Sequence, residues 1–266
     1  MGSIHLEELQ GITMTRTTIL MLLSTIWLCI VHSENLEAKD LVAGVGNLLP
    51  HVVVDENGQP KGGFVDVVKA IDKVYTAGTI SISVLPTKRS LASLANGRID
   101  FHIPYIPNPR VPEETLPFIF ASESVVDVAF VLYTRSDVKV PPMDSLGRLH
   151  IETLRGAEPH FAFKISGIDS FRQGISRVSL GRSDGFIGEQ DACDLFIRQN
   201  KIKNIRRTLY ANWKSSIIIG KGPESVTIDR ILSSALRKLK QNGELQKITA
   251  TIHRPFEDWQ PYLANW

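Results

Sequence analysis

The segment Gly97-Arg98-Ile99-Asp100 returns as Gly181-Arg182-Ser183-Asp184, and apolar residues follow both copies, Phe101 and Ile103 in one, Phe186 and Ile187 in the other. A glycine that stops a helix, followed by an aspartate that opens a short buried strand, describes a supersecondary unit. Its reuse predicts two similar α/β lobes with a cleft between them, a common place for a ligand. Chance recurrence is the competing explanation, so the two lobes need support from the flanking chain.

That support comes from periodicity. Asp40 to Val45 reads as a strand closed by Gly46-Asn47, and Val52 to Val54 as a short strand before the turn Asp55-Glu56-Asn57-Gly58. Val65, Val68, Ile71 and Val74 recur at helical spacing, and Ile80, Ile82 and Val84 alternate as in a strand. Ser90 is placed to cap a second helix that Gly97 stops before a strand over 99–103. The prolines from Pro104 to Pro117 predict an extended loop. After the apolar run Val126 to Tyr133 a second cycle begins. It has strands over 149–154 and 183–187, an irregular or helical stretch over 161–175, and a helix over 190–199 with Ala192, Leu195 and Phe196 inward. Strands over 205–209 and 215–219 and a long amphipathic helix from Ile228 to Leu239 complete it. Val126 to Tyr133 and Ser215 to Ile219 are the two strands expected to cross between lobes.

At 266 residues, 43% hydrophobic and 22% charged, the chain has enough apolar sequence for one large or two modest domains. A formal charge of +2 with scattered basic residues argues against a nucleic-acid partner. Met14-Thr15-Arg16, the apolar run Ile19 to Val31 and Val31-His32-Ser33 have the order of a cleaved signal peptide over 1–33, with Met14 as a candidate start. The expected location is therefore extracytoplasmic. Cleavage would leave Cys193 alone, which excludes an intrachain disulfide and a paired-cysteine metal site. His51, His102, His150 and His160 show no metal-ligand spacing, and no phosphate-cradling loop or nucleophile elbow is present, so no cofactor, metal or catalytic group is expected.

Several motifs together resemble the family-3 extracellular solute-binding proteins, the polar-amino-acid-binding components of ABC importers. They are Gly58 followed by Gly63-Phe64 and Asp66, Leu94-Ala95-Asn96-Gly97-Arg98-Ile99-Asp100, Leu146-Gly147-Arg148 leading to Arg155-Gly156, and Asn242-Gly243-Glu244-Leu245-Gln246-Lys247-Ile248. The resemblance implies a type II periplasmic-binding-protein-like clamp, two α/β lobes joined by two crossing strands. Lobe 1 would comprise residues 38–129 plus 220–266 and lobe 2 residues 130–219. The implied protein is a periplasmic monomer that captures a small polar ligand, an amino acid or related carboxylate, and hands it to membrane subunits of the transporter. A ligand-sensing subunit for a membrane receptor and a dehydratase-like enzyme on the same fold are the alternatives.

The same resemblance nominates ligand-binding residues. Arg110 stands in the loop where the family carries a carboxylate-binding arginine, and a planar guanidinium can donate two parallel hydrogen bonds to a carboxylate. Tyr105 lies where a hydroxyl would help. Glu189 occupies the place of the aspartate that receives the ligand's ammonium, and in a dehydratase it would be the general acid. Leu48 lies near the place of a stacking aromatic, Arg89 could supply a replacement cation, and the backbone N–H groups of Gly156 and Ala157 could hold an anion.

Overall fold

The computed structural model describes residues 38–264, apart from 47 and 49, so the expected signal peptide over 1–33 lies outside the described residues. Strand β1 (Leu41–Gly46) is followed by a small hairpin of β2 (Val53–Val54) and β3 (Pro60–Lys61), helix α1 (Gly63–Val74), β4 (Ile80–Leu85), α2 (Thr87–Ala95) and β5 (Phe101–Tyr105). β1 lies between β4 and β5, parallel to both. The helical spacing seen in the sequence turns Phe64, Val65, Val67, Val68, Ala70 and Ile71 of α1 inward. Each fully buried Val, Ile or Phe among them contributes roughly 1.5–3 kcal/mol of transfer free energy.

The proline-rich segment is less irregular than expected. Pro104 lies inside β5, a single 3-10 turn spans Glu113–Thr115, and β6 is Phe118–Phe120. β7 (Val126–Arg135), β8 (Ile151–Leu154), β9 (Ser166–Ile168), α3 (Phe171–Ser179), β10 (Gly185–Glu189) and α4 (Gln190–Gln199) then form the second cycle. β8 pairs in parallel with β9 and β10, and β10 pairs antiparallel with β7. One face of this half packs Val131, Tyr133 and Phe186 against Ile175, Val178, Cys193 and Ile197 from the helices. The other packs Leu132, Ile151 and Ile187 with Phe161.

The two strands expected over 205–209 and 215–219 are one, the 16-residue β11 (Ile205–Gly220). Its first part pairs with β7 from Ile205↔Arg135 to Ser215↔Val126, and its last residues pair with β5 and β6. Polar Asn212 and Lys214 break the apolar pattern, yet they keep the ladder because they lie opposite Ala129 and Asp127 of β7. The sheet order is β4-β1-β5-β11-β7-β10-β8-β9, with β6 beside β11. Helices α5 (Ser225–Gln241) and α6 (Glu244–Thr249) return to α1. Among the described residues no helix is long and apolar enough to cross a membrane.

The repeated Gly-Arg-x-Asp is the same device twice. Gly97 and Gly181 take φ of 66° and 68°, a region where other residues are strained. The next amide then reaches back across the helix end, Arg98 to Ser93 O at 2.9 Å and Arg182 to Arg177 O at 2.8 Å. Each aspartate clasps a neighbouring backbone from both sides. Asp100 N donates to Val42 O while Oδ2 accepts from Val42 N at 2.7 Å, and Asp184 repeats this with His150 at 3.0 and 2.8 Å. Asp100 is half-buried and Asp184 exposed. Asp100→Ala should therefore cost about 1–3 kcal/mol, because it strands a shielded N–H, while water can replace Asp184 at a smaller loss. Urea denaturation of the two variants measures this order, and equal losses would refute the burial argument.

Ser90 does not cap α2. The helix begins at Thr87, and Ser90, fully buried, hydrogen-bonds His102 Nδ1 at 2.8 Å. Burial holds the His102 imidazole down to about 4, against the weaker opposing pull of the Pro104 backbone carbonyl as an acceptor. It is a neutral core histidine.

Candidate functional site

In each half-sheet the parallel strands end in connections that carry polar side chains. β1, β4 and β5 end at Gly46, Leu85 and Tyr105, and β8, β9 and β10 end at Leu154, Ile168 and Glu189. The carboxyl ends of parallel strands are where open α/β sheets usually bind ligands. Three contacts show that the two edges face one another. His51, after β1, donates from Nε2 to Glu189 Oε2 at 3.1 Å. His160, after β8, pairs through Nε2 with Ile106 O, after β5, at 3.2 Å. Pro50 borders a cavity of about 110 Å³ whose other walls are Phe171, Arg172, Ala192, Leu195, Phe196 and Gln199 of α3 and α4.

The seven residues nominated from the sequence lie at or shortly after these strand ends, Arg89 within the first turn of the helix that follows β4, but they are in different surroundings. Leu48 is exposed after β1, and its carbonyl accepts from Val52 N. Arg89 is exposed in the first turn of α2, not ahead of it. Tyr105 is half-buried against Phe118 and Phe120, with ring centroids 5.0 and 5.9 Å away, and burial raises its phenol. Arg110 is exposed, its amide bonded to Asn108 Oδ1 at 3.0 Å. The expected anion-binding amides are already engaged: Gly156 N donates to the Glu158 carboxylate and Ala157 N to Leu154 O. Glu189 is the one nominated residue at the centre of a charged cluster.

That cluster is built from three separated segments. Glu189 ends β10 and caps α4, accepting from Asp191 N at 2.6 Å and Ala192 N at 2.9 Å. His51 meets it from the connection after β1. His253, just beyond α6, donates from Nδ1 to Glu189 Oε1 at 3.3 Å and lies 3.7 Å from Asp191 Oδ2. The two imidazoles are 4.5 Å apart, and Phe64 of α1 walls them, 6.2 Å from His51 and 5.7 Å from His253. Burial favours a neutral Glu189, but the hydrogen bonds from His253 and His51 outweigh it and bring the carboxyl down to about 2. Burial likewise disfavours a charged His253, and Asp191 and Glu189 outweigh it and raise the imidazole. Glu189 is therefore a carboxylate at neutral pH, the wrong state for a general acid.

Two adjacent glycines place the histidines. At Gly62 φ is 116°, and a Cβ there would lie 2.3 Å from His51 O; at Gly63 a Cβ would lie 2.0 Å from a carbon of Ile252, next to His253. Without side chains at the start of α1, both segments settle against it and bring His51 and His253 together.

Beyond His253 the chain runs over the second half-sheet. Arg207 of β11, its side chain 1% exposed, donates from Nε to Asp194 Oδ1 at 2.8 Å and lies with Nη2 2.7 Å from Oδ2. The same guanidinium donates to Gln190 Oε1, Glu257 O and Trp259 O and lies beneath the Phe256 and Trp259 rings at 5.0 and 4.8 Å. Gln260 completes the strap with two bonds to the Arg207 backbone, each 2.9 Å. Burial raises the Asp194 carboxyl to about 6, with Arg207 as the main counterweight. Asp194, Arg207 and this tail went unnoticed in the sequence. An aspartate on the inward face of α4, where Leu195 had been expected and is instead exposed, was the available signal.

No protein-family model and no curated protein matches the chain. Solved structures match its fold. A histidine kinase sensor domain with similarity to periplasmic binding proteins has 17% identity and a TM-score of 0.64, over 82% of this chain and 99% of that one. The probable amino-acid ABC transporter extracellular-binding protein ytmK from Bacillus subtilis has 18% identity and a TM-score of 0.60, over 80% and 97%. An ancestral amino-acid-binding protein, a precursor of cyclohexadienyl dehydratase, has 16% identity and a TM-score of 0.62, over 81% and 95%. The fold is thus that of the two-lobed periplasmic-binding-protein-like clamps.

Proposed function

We propose that this chain is an extracytoplasmic solute-binding protein that traps a small polar ligand, an amino acid or related carboxylate, between its lobes and delivers it to membrane subunits of an ABC importer. The observation that carries this reading is the meeting of two sets of strand-end connections, seen in the His51–Glu189 and His160–Ile106 contacts. Lobe 1 is residues 38–129 plus 220 onward and lobe 2 is 130–219, with the tail beyond His253 crossing back onto lobe 2. Arg110, aided by Arg89, takes the ligand's carboxylate. Leu48 and Tyr105 supply apolar wall, and a second anionic group reaches Gly156 and Ala157 by displacing Glu158. Glu189 faces the ligand through its histidine pair, not as a free carboxylate. A clamp that reports to a membrane receptor is the second reading, favoured by the likeness to a kinase sensor domain.

A ligand that binds only the folded state at 100 times its Kd adds about 2.7 kcal/mol of stability. For a chain of this size that raises Tm by roughly 5–10 °C. A thermal-shift panel of amino acids, their derivatives and small dicarboxylates should contain such a ligand, and Arg110→Met should remove its effect. A panel without any stabilising member would sink the proposal. A stabilising member unaffected by Arg110→Met would move the carboxylate site elsewhere.

A further inference from the structure

We infer that His51, Glu189 and His253 form a binding site for a divalent transition metal of the zinc class, held between the two lobes. Two imidazole nitrogens and a carboxylate oxygen lie within 4.8 Å of one another. His51 Nε2 lies 3.1 Å from Glu189 Oε2 and His253 Nδ1 3.3 Å from Oε1, so the two imidazoles reach different oxygens of one carboxylate. Ligands about 2.0–2.1 Å from a tetrahedral Zn2+ stand roughly 3.3–3.4 Å apart, so an ion between the imidazoles takes the carboxylate through both oxygens, or through one after a ring turns toward it. Nitrogen donors select Zn2+ and its neighbours over Ca2+ and Mg2+, which prefer all-oxygen shells.

The surroundings suit an ion. Both histidine side chains are 4% exposed, and the Phe64 ring shields them. Glu189 is fixed by the two amides it caps, so its remaining lone pairs point with little freedom. Asp191, 3.7 Å from His253 and also paired with Arg254, supplies a second negative charge. With both imidazoles neutral, the two carboxylates offset the charge of Zn2+, and Arg254 beside Asp191 leaves the cluster with one net positive charge. Three protein ligands leave a fourth position for water or for an amine or carboxylate of a trapped ligand. Gly62 and Gly63 are part of the same construction, because they allow His51 and His253 to reach one carboxylate.

This inference is independent of the transport reading, since the metal alone is the probe. The full chain, stripped with a chelator and dialysed at pH 7.5, is titrated with Zn2+ by calorimetry, and bound metal is counted by mass spectrometry. One Zn2+ per chain at micromolar Kd or tighter is expected, with Ca2+ and Mg2+ at least a hundredfold weaker. His51→Gln and His253→Gln should each weaken Zn2+ by about a hundredfold while circular dichroism shows the native fold. Co2+ should give the intense visible bands of a four-coordinate nitrogen–oxygen site in the unmodified chain, a readout that needs no variant. Wild-type binding weaker than about 100 μM, or affinity unchanged in the His51→Gln/His253→Gln double variant, overturns the site. Neither failure bears on the amino-acid panel.

Discussion

Arg207→Met should lower the free energy of unfolding by about 3–5 kcal/mol, the usual result of removing one partner of a buried ion pair. The loss arises less from the missing attraction than from what remains. Asp194, its side chain 3% exposed, would keep the Tyr133 Oη hydrogen bond at 3.0 Å but lose its direct ion pair, leaving Arg198 and Arg254 as cations that act on it without a salt bridge. Protonation relieves part of this, and the carboxyl already titrates as high as about 6 with the arginine present. The carbonyls of Glu257 and Trp259 lose their donor at the same time. Guanidinium denaturation measures the total. Limited proteolysis should show new cleavage within 254–260 while the helices stay protected. The double variant Arg207→Met/Asp194→Leu should recover most of the loss, since replacing a whole buried pair by apolar groups is often neutral. A single variant that loses less than about 1 kcal/mol would mean that the strap is held by its aromatic rings instead.

Gly62→Ala should be the second severe change, and it should act on both the fold and the metal cluster. A non-glycine residue held at an unfavourable positive φ costs on the order of 1–3 kcal/mol. Here the added carbon also falls 2.3 Å from His51 O, a backbone atom that moves only with its whole segment. Gly58→Ala separates the two causes. Gly58 also has a positive φ, 76°, but nothing lies within 4 Å of its added carbon. Both variants should lose stability in thermal melts. Only Gly62→Ala should also lose Zn2+ affinity, because only it pushes His51 away from Glu189. Equal Zn2+ affinity in the two variants would show that the His51 segment is not set by its contact with α1.

The scaffold was readable because its signals are local. Gly97 and Gly181 stop helices by their own backbone geometry, and Asp100 and Asp184 bond strands already expected beside them. The helix over 190–199 is legible from its apolar spacing. The cluster was not readable for the opposite reason. Glu189 is 138 residues from His51 and 64 from His253, so no spacing rule links them. His253 follows the last recognisable motif, in a tail whose role depends on Arg207. Even within α4 the inward position of Asp194 is set by a partner on β11, and hydropathy alone points Leu195 inward in its place.

Strand β11 gives the two lobes a common fate. Its residues complete the β7 ladder at one end and the β5 and β6 ladders at the other, so neither half can keep its hydrogen bonds once the strand is lost. A protein assembled from two similar halves could melt in two steps. One continuous strand shared by both couples their unfolding, so a single transition is expected in thermal melts, with damage to either half lowering the melting point of the whole.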